Sequence, residues 1–257
     1  MNRNTLYLVA LWSFAGGMVL LLTVPAMIVL GPGHPWPYIV VATLVVLSVG
    51  GPKLGAWVGD RRIRRLLRSE TPEDLVEFYE RTIRPSLIPD GDAMLANGIA
   101  LGYALYAEFD AARRTLRGID WERRVPLVRA TGISVEALLC YLETGRYEMG
   151  LELARAGREM ARVSKAFPGS RTSAAAFDSY VEIGEILCGD TSDEKVAGLE
   201  RKQVVLPTVG KLLIAWGLAA AYDERGEHAK AESARKFIRD VAPHCRGISS
   251  PPSKHSA

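Results

Sequence analysis

Two apolar stretches without a charged side chain open this sequence and constrain what its first part can become. Leu6–Leu30 contains no Asp, Glu, Lys, Arg or His, and neither does Trp36–Pro52; the turn Gly31–Pro37 that parts them holds only His34. At ~1.5 Å of rise per residue, about 20 residues cross the ~30 Å of bilayer hydrocarbon. The first stretch is long enough, with room to tilt. The second reaches that length if it runs to Val58, which leaves Lys53 in its last turns, where a long stem reaches the headgroups. A cleaved secretory signal has an apolar region of roughly 7–15 residues, shorter than this run and not followed at once by another. Apolar residues around every face at Leu20–Leu22 and Ile39–Val49 also disfavour a soluble hairpin. The expectation is a two-helix transmembrane hairpin over 1–58, with spans at about 6–30 and 36–58.

Charge orients such a hairpin. Arg3 precedes the first span, the intervening turn has no Lys or Arg, and Arg61, Arg62, Arg64, Arg65 and Arg68 follow the second. Basic residues near span ends stay on the cytoplasmic side, so both termini are expected there. Tyr7, Trp12, Trp36, Tyr38 and Trp57 fall near the expected interfaces, where amphipathic rings settle. The arginine cluster is also a candidate contact for acidic lipid headgroups, each residue being worth about 1 kcal/mol near an anionic leaflet; its plainer role is to set topology. Gly51, Gly55 and Gly59 recur every four residues and would let a second backbone approach closely, either the first span or another copy of the chain. Pro52 offers a different reading, a break between span and interfacial helix.

The rest is one domain's worth of chain. The net charge of +3 is more than covered by the arginine cluster, so the remainder has no broad basic surface of the kind that binds nucleic acid. Cys140, Cys188 and Cys245 have no paired spacing and suit a reducing compartment. After Val58 no segment alternates like a strand; apolar residues recur at helical spacing, punctuated by Gly, Pro, Asp and Ser. The fold class read from the sequence is all-α. Thr71-Pro72-Glu73-Asp74 reads as a helix start, with Glu77–Arg81 and Glu80–Arg84 as i,i+4 pairs and Pro85 and Pro89 as its end. Asp92 is expected to cap the next helix, and Thr191-Ser192-Asp193-Glu194 to form a capping box. Residues 59–91 make a basic juxtamembrane segment and linker helix, and 244–257, rich in Pro and Ser, are expected to be a disordered tail.

The helices between 92 and 243 pair in a repeating order. Ile99-Ala100-x-x-Tyr103 is followed by the turn Ala107-Glu108-Phe109 and then Ala112. Ala137-Leu138-x-x-Tyr141, Gly145-Arg146-Tyr147 and Gly150 repeat this, as do Leu218-Ala219-x-x-Tyr222, Gly226-Glu227-His228 and Ala231, with Pro243 beyond. A small residue beside a large one lets two helices close up, the tyrosine packs across the pair, and the small residue past the turn admits the first helix. This pattern resembles the tetratricopeptide repeat, a helix–turn–helix unit of about 34 residues. A weaker turn at Cys188-Gly189-Asp190 divides the chain into steps of 38, 44 and 37; the extra residues are assigned to loops such as Phe167–Thr172, and 174–203 is an inferred copy. Ala107 stands where the family has a turn glycine, Gly150 where it has an inner alanine, and Arg124 and Arg162 where it has a terminal proline.

The resemblance implies a short superhelix with a concave face that holds a peptide or partner helix. In the family's register that face carries Asn97, Leu101 and Leu105, then Val135, Leu139 and Leu142, then Leu213, Trp216 and Ala220. The other expectation for these residues is that they pack on neighbouring helices or under Thr71–Arg84 folded across the groove. Asn97 alone matches the carboxylate-gripping set of some family members, so that mode is not expected.

Chemistry-bearing motifs are scarce. The sequence has no nucleophile elbow, glycine-rich phosphate loop or histidine pair at metal spacing. Asp178, Glu182 and Glu185 share one helical face and read as a solvated surface, while His244-Cys245 is a poor metal pair. No enzymatic activity, cofactor or metal is expected. The sequence points to a membrane-anchored adaptor or scaffold that presents a protein-binding superhelix in the cytoplasm, with a bacterial inner membrane as the simplest address. The alternative is an accessory or regulatory subunit of a larger membrane enzyme or transporter.

Overall fold

A computed structural model of the chain describes residues 57–87, 89–143, 146–163 and 170–249. The proposed spans, with Gly51 and Gly55, lie outside the described residues, and no helix within them is long and apolar enough to cross a membrane. The chain divides into two units, Met1–Arg61 and Arg62–Ala257. Of the first, residues 57–61 are helical. Trp57 and Val58 are exposed, the Arg61 guanidinium sits 4.0 Å from the Trp57 ring centroid, and a Cβ built on Gly59 would meet nothing.

The second unit is all helical among its described residues. Its helices are α1 (Glu73–Thr82), α2 (Gly91–Leu105), α3 (Phe109–Arg117), α4 (Pro126–Leu142), α5 (Tyr147–Val163), α6 (Ser170–Leu187), α7 (Asp193–Val205), α8 (Thr208–Glu224), α9 (His228–Val241) and the short α10 (Arg246–Ser249), with a 3-10 turn at Trp121–Arg123. They pack as consecutive hairpins: α2 with α3, α4 with α5, α6 with α7 and α8 with α9. First helices also touch one another (α2 with α4, α4 with α6, α6 with α8), and α6 and α8 each rest on the second helix of the preceding pair. This is repeat-like stacking, and 170–205 supplies a full helix pair.

Where the turns fall follows the repeated pattern. Gly189 and Gly226 have positive φ (104° and 70°), and so does Ala107 at 65°. Left-handed backbone crowds a Cβ against the next carbonyl, so a residue other than glycine there costs roughly 1–2 kcal/mol; α2 and α3 demand the conformation even so. Gly145 lies outside the described residues. The small residues past the turns do what their spacing implied. Ala112 and Ala231 are fully buried, and a Cβ on Gly150 would fall 2.5 Å from the Tyr141 ring.

Several local expectations are corrected. Pro72 occupies the N-cap of α1 and no side chain bonds to that end; the Ser69 hydroxyl instead lies 2.6 Å from an Asp74 carboxylate oxygen. Asp90, at φ 56°, is the N-cap of α2. Asp92 lies inside the first turn and pairs with Arg124 at 2.6 Å, which also reaches Asp90 at 3.4 Å. At α7 the N-cap is Ser192, without a capping side-chain bond, and Asp193 in the first turn pairs with Arg225 at 2.6 Å. Helix α6 starts at Ser170, inside the stretch expected as a loop. The segment expected as a tail is ordered through Ser249: Cys245 and Ile248 are buried, and α10 packs on α2, α8 and α9. A Cβ at Gly247 would stand 2.3 Å from the Ala104 carbonyl oxygen, so only glycine lets this helix sit so close to α2.

Candidate functional site

The residues assigned to a binding face belong to the core. Leu105, Val135, Leu139, Leu213 and Trp216 are all at most 4% exposed, and Leu101, Leu142 and Ala220 pack against the same cluster. Asn97, 8% exposed, donates from its Nδ2 to the Thr131 hydroxyl oxygen at 2.5 Å, tying α2 to α4. Helix α1 lies against α2, where a Cβ on Gly98 would meet the Tyr79 ring at 2.8 Å and one on Gly102 would meet Leu75 at 3.5 Å. Burial pushes the Tyr79 phenol up to about 12, and Tyr79 in turn adds to the upward shift that burial imposes on Tyr180 of α6. So these side chains are buried among neighbouring helices, and α1 lies on α2 at Gly98 and Gly102.

Two clefts lie between second helices. A cleft of about 460 Å³ opens over α8 between the end of α7 and α9, lined by Val204, Lys211, Leu218, Tyr222, Lys230 and Phe237 among others. A smaller one, about 220 Å³, occupies the corresponding place over α4, between α3 and α5, with Leu139 and Cys140 in its lining. Stacked hairpins splay their second helices further apart than their first, so the same gap recurs at equivalent positions.

The two clefts differ in character. Around the smaller one Arg113 bonds Glu143 at 2.5 Å, and Arg146 lies 3.8 Å from the same carboxylate. Burial raises the Glu136 carboxyl, against the pull of Arg113, and raises the Cys140 thiol, which leaves that sulfur a poor nucleophile. The larger cleft has an apolar floor and no carboxylate among its lining residues. Lys230 is held by Glu227 at 2.6 Å and lies 5.3 Å from the Tyr222 ring centroid, while Tyr222 donates its hydroxyl to Glu200 at 2.5 Å. Val204 and Val205 close α7 at 76% and 66% exposure; among the described residues only Leu87, at 66%, is an equally exposed large apolar side chain. The signal was present in the sequence as Val204-Val205 directly before Leu206-Pro207, but periodicity alone assigns such residues to a core.

The acidic face of α6 is not a solvated surface. Glu185 bonds Lys195 of α7 and, at 3.2 Å, Arg155 of α5, and Glu182 bonds Lys202 at 2.5 Å. The face is an ion-pair seam between three helices. No group of His, Cys, Asp and Glu able to hold a metal occurs among the described residues. Cys245 is buried against the Tyr106 hydroxyl, and burial pushes its thiol up to about 12.

The basic segment divides. Arg61 belongs to the first unit. In the second, the Arg62 guanidinium lies 5.1 Å from the Phe78 ring centroid, while Arg64, Arg65 and Arg68 are exposed.

No family model, no curated protein and no solved structure matches this chain.

Proposed function

We propose that this protein is a membrane-anchored adaptor whose helical domain, similar in pattern to tetratricopeptide repeats, recruits a protein partner at the cytoplasmic surface. The anchor is read from the two uncharged stretches and the arginines after them. Tethering raises the local concentration of the binding surface beside membrane complexes, so a modest contact suffices.

The observation that carries the reading is the cleft over α8: an apolar floor of Leu218 and Phe237, exposed valines at one edge and lysines at the rim. Solvent-exposed apolar residues beside a concave, well-formed gap mark an interaction site more often than surface noise. The matching partner is an extended segment with one large apolar side chain followed by a carboxylate. The buried residues of the expected concave face take no direct part in this reading; a charged side chain introduced at Leu139 or Trp216, each 2% exposed, would unfold the domain rather than test contact.

The test is a photo-crosslinking residue at Gln203, in the lining of the cleft, in the full chain in native membranes, with one at the exposed Met94 as reference. A discrete adduct from 203 only, lost on adding Val204→Asp or Lys211→Glu at unchanged melting temperature, supports the adaptor. Capture that survives Val204→Asp but disappears with Gly55→Leu refutes it in favour of an accessory subunit held through the N-terminal segment.

A further inference from the structure

Residues 62–66 are helical, and Leu67 and Arg68 continue the turn through backbone bonds to Ile63 and Arg65. Helical geometry puts 63, 66 and 67 on one side and 64, 65 and 68 on the other. The first side is spent: Leu67 is fully buried and Ile63 and Leu66 pack against the domain core. The Ser69 carbonyl accepts from the Tyr106 hydroxyl at 3.0 Å, pinning the end of the segment to the end of α2. The second side is three exposed guanidinium groups.

Many arginines in the body of the domain are neutralised in place, although Arg84, Arg114, Arg117, Arg129 and Arg201 also take part in no ion pair among the described residues. Arg81, Arg113, Arg124, Arg155, Arg162, Arg225, Arg235 and Arg239 each sit against a carboxylate. Among the described residues Arg64, Arg65 and Arg68 take part in no ion pair. Asp60 lies one turn before Arg64, and Glu70, Glu73, Asp74, Glu77 and Glu80 follow Arg68, so the three arginines make a short, rigidly backed cationic face bounded by acidic residues in sequence. Three like charges held side by side without an internal counterion repel one another and cost stability. That arrangement is what an external anionic surface rewards.

We infer that Arg64, Arg65 and Arg68 bind the anionic headgroups of the bilayer that holds the chain. The inference rests on the membrane anchor of the proposed function and adds the lipid class. Chain length permits it: Arg64 lies six residues past Val58, at most roughly 20 Å along the backbone. The recognition is electrostatic and involves the phosphates of several lipids at once, because the three exposed side chains are spread over more than a turn of one helical face. Because Ile63, Leu66 and Leu67 lock this face to the core, headgroup binding holds the whole domain on the surface rather than a free linker. At about 1 kcal/mol per basic residue near an anionic leaflet, the three together favour the docked state on the order of a hundredfold, and the effect fades with ionic strength.

The full chain is reconstituted into vesicles of mixed phosphatidylcholine and phosphatidylglycerol, extracted in mild detergent, and its retained lipid is quantified. Several-fold enrichment of phosphatidylglycerol over the bulk ratio is expected, falling to the bulk ratio in R64Q/R65Q/R68Q and at high salt, and preserved in R64K/R65K/R68K. Wild-type lipid at the bulk ratio, or loss of enrichment in the lysine variant, overturns the inference. Saturable binding of inorganic phosphate to the chain in neutral vesicles also overturns it, assigning the arginines to a soluble ligand. Carbonate washing of the same vesicles keeps the two readings apart. A chain that is retained without enrichment sinks only the lipid inference, whereas one that washes off sinks the anchor and this inference together.

Discussion

Tyr141 is the largest fully buried side chain among the described residues, and Gly184→Ala tests what holds it. The tyrosine stands on α4, is 1% exposed, and donates its hydroxyl to the Tyr180 carbonyl on α6 at 3.0 Å. Burial pushes its phenol well above the ordinary range, so it remains a donor at any working pH. Its ring is wedged between Gly150 of its own hairpin and Gly184 of the next. A Cβ at 184 would lie 2.2 Å from the hydroxyl oxygen, 2.8 Å from Cζ and 3.1 Å from a Leu151 methyl. None of these neighbours is at a flexible surface, so the ring must shift and the hydrogen bond lengthen or break. Overpacking costs about 1–3 kcal/mol, an orphaned buried hydroxyl about 1–3, and alanine returns about 1 in helix propensity. The net is a loss of about 2–3 kcal/mol, or roughly 5–10 °C in melting temperature for a domain of this size. Tyr141→Phe alone loses only the hydrogen bond, about 1 kcal/mol. In that background the worst clash is already gone, so Gly184→Ala should cost only about 1 kcal/mol more. Urea titration of the full chain in mild detergent, followed by circular dichroism, measures all four variants. Equal cost for Gly184→Ala with and without the hydroxyl would refute the claim that glycine is there to admit it.

Two further outcomes follow from the geometry. Ala107→Gly relieves the positive φ at the first turn and is expected to stabilise by about 0.5–1 kcal/mol once glycine's extra chain entropy is counted; a lower melting temperature would show that the turn is not strained. Burial raises the Glu185 carboxyl, but the bonds from Lys195 and Arg155 outweigh it and hold the group below its usual value of 4.5. A depressed folded value contributes stability that is present above the unfolded value and lost as pH falls through the folded one. The gap in stability between wild type and Glu185→Gln should therefore be widest near neutrality and close on acidification; a gap that holds constant with pH would mean the seam is not titrating.

The helix pairs were legible from short-range chemistry. Ala137-Leu138-x-x-Tyr141 followed by Gly150 gives a hairpin whose tyrosine meets a small residue across the turn, and the turn at Ala107 could be placed even though its residue is the wrong type. Both depend only on side chains within about a dozen positions, where spacing is nearly geometry. Cap identities were less legible: Asp92, expected as a cap, is drawn instead to Arg124, 32 residues further along the chain. Acidic spacing on α6 looked like a solvated face because the lysines and the arginine that neutralise it come from α7 and α5.

By itself the sequence determined that the chain is helical after Val58, where its pairs turn, and that charge-free segments come before a cationic one. Tertiary structure alone decided that Val135, Leu139, Leu213 and Trp216 are core, that Cys245 and Ile248 are anchored rather than a loose tail, and that clefts open over α4 and α8 between second helices. The reason is that the angle between successive pairs is a sum of side-chain volumes contributed by residues far apart in sequence. Local spacing says which face of a helix is apolar; that angle says whether the face meets another helix or a partner.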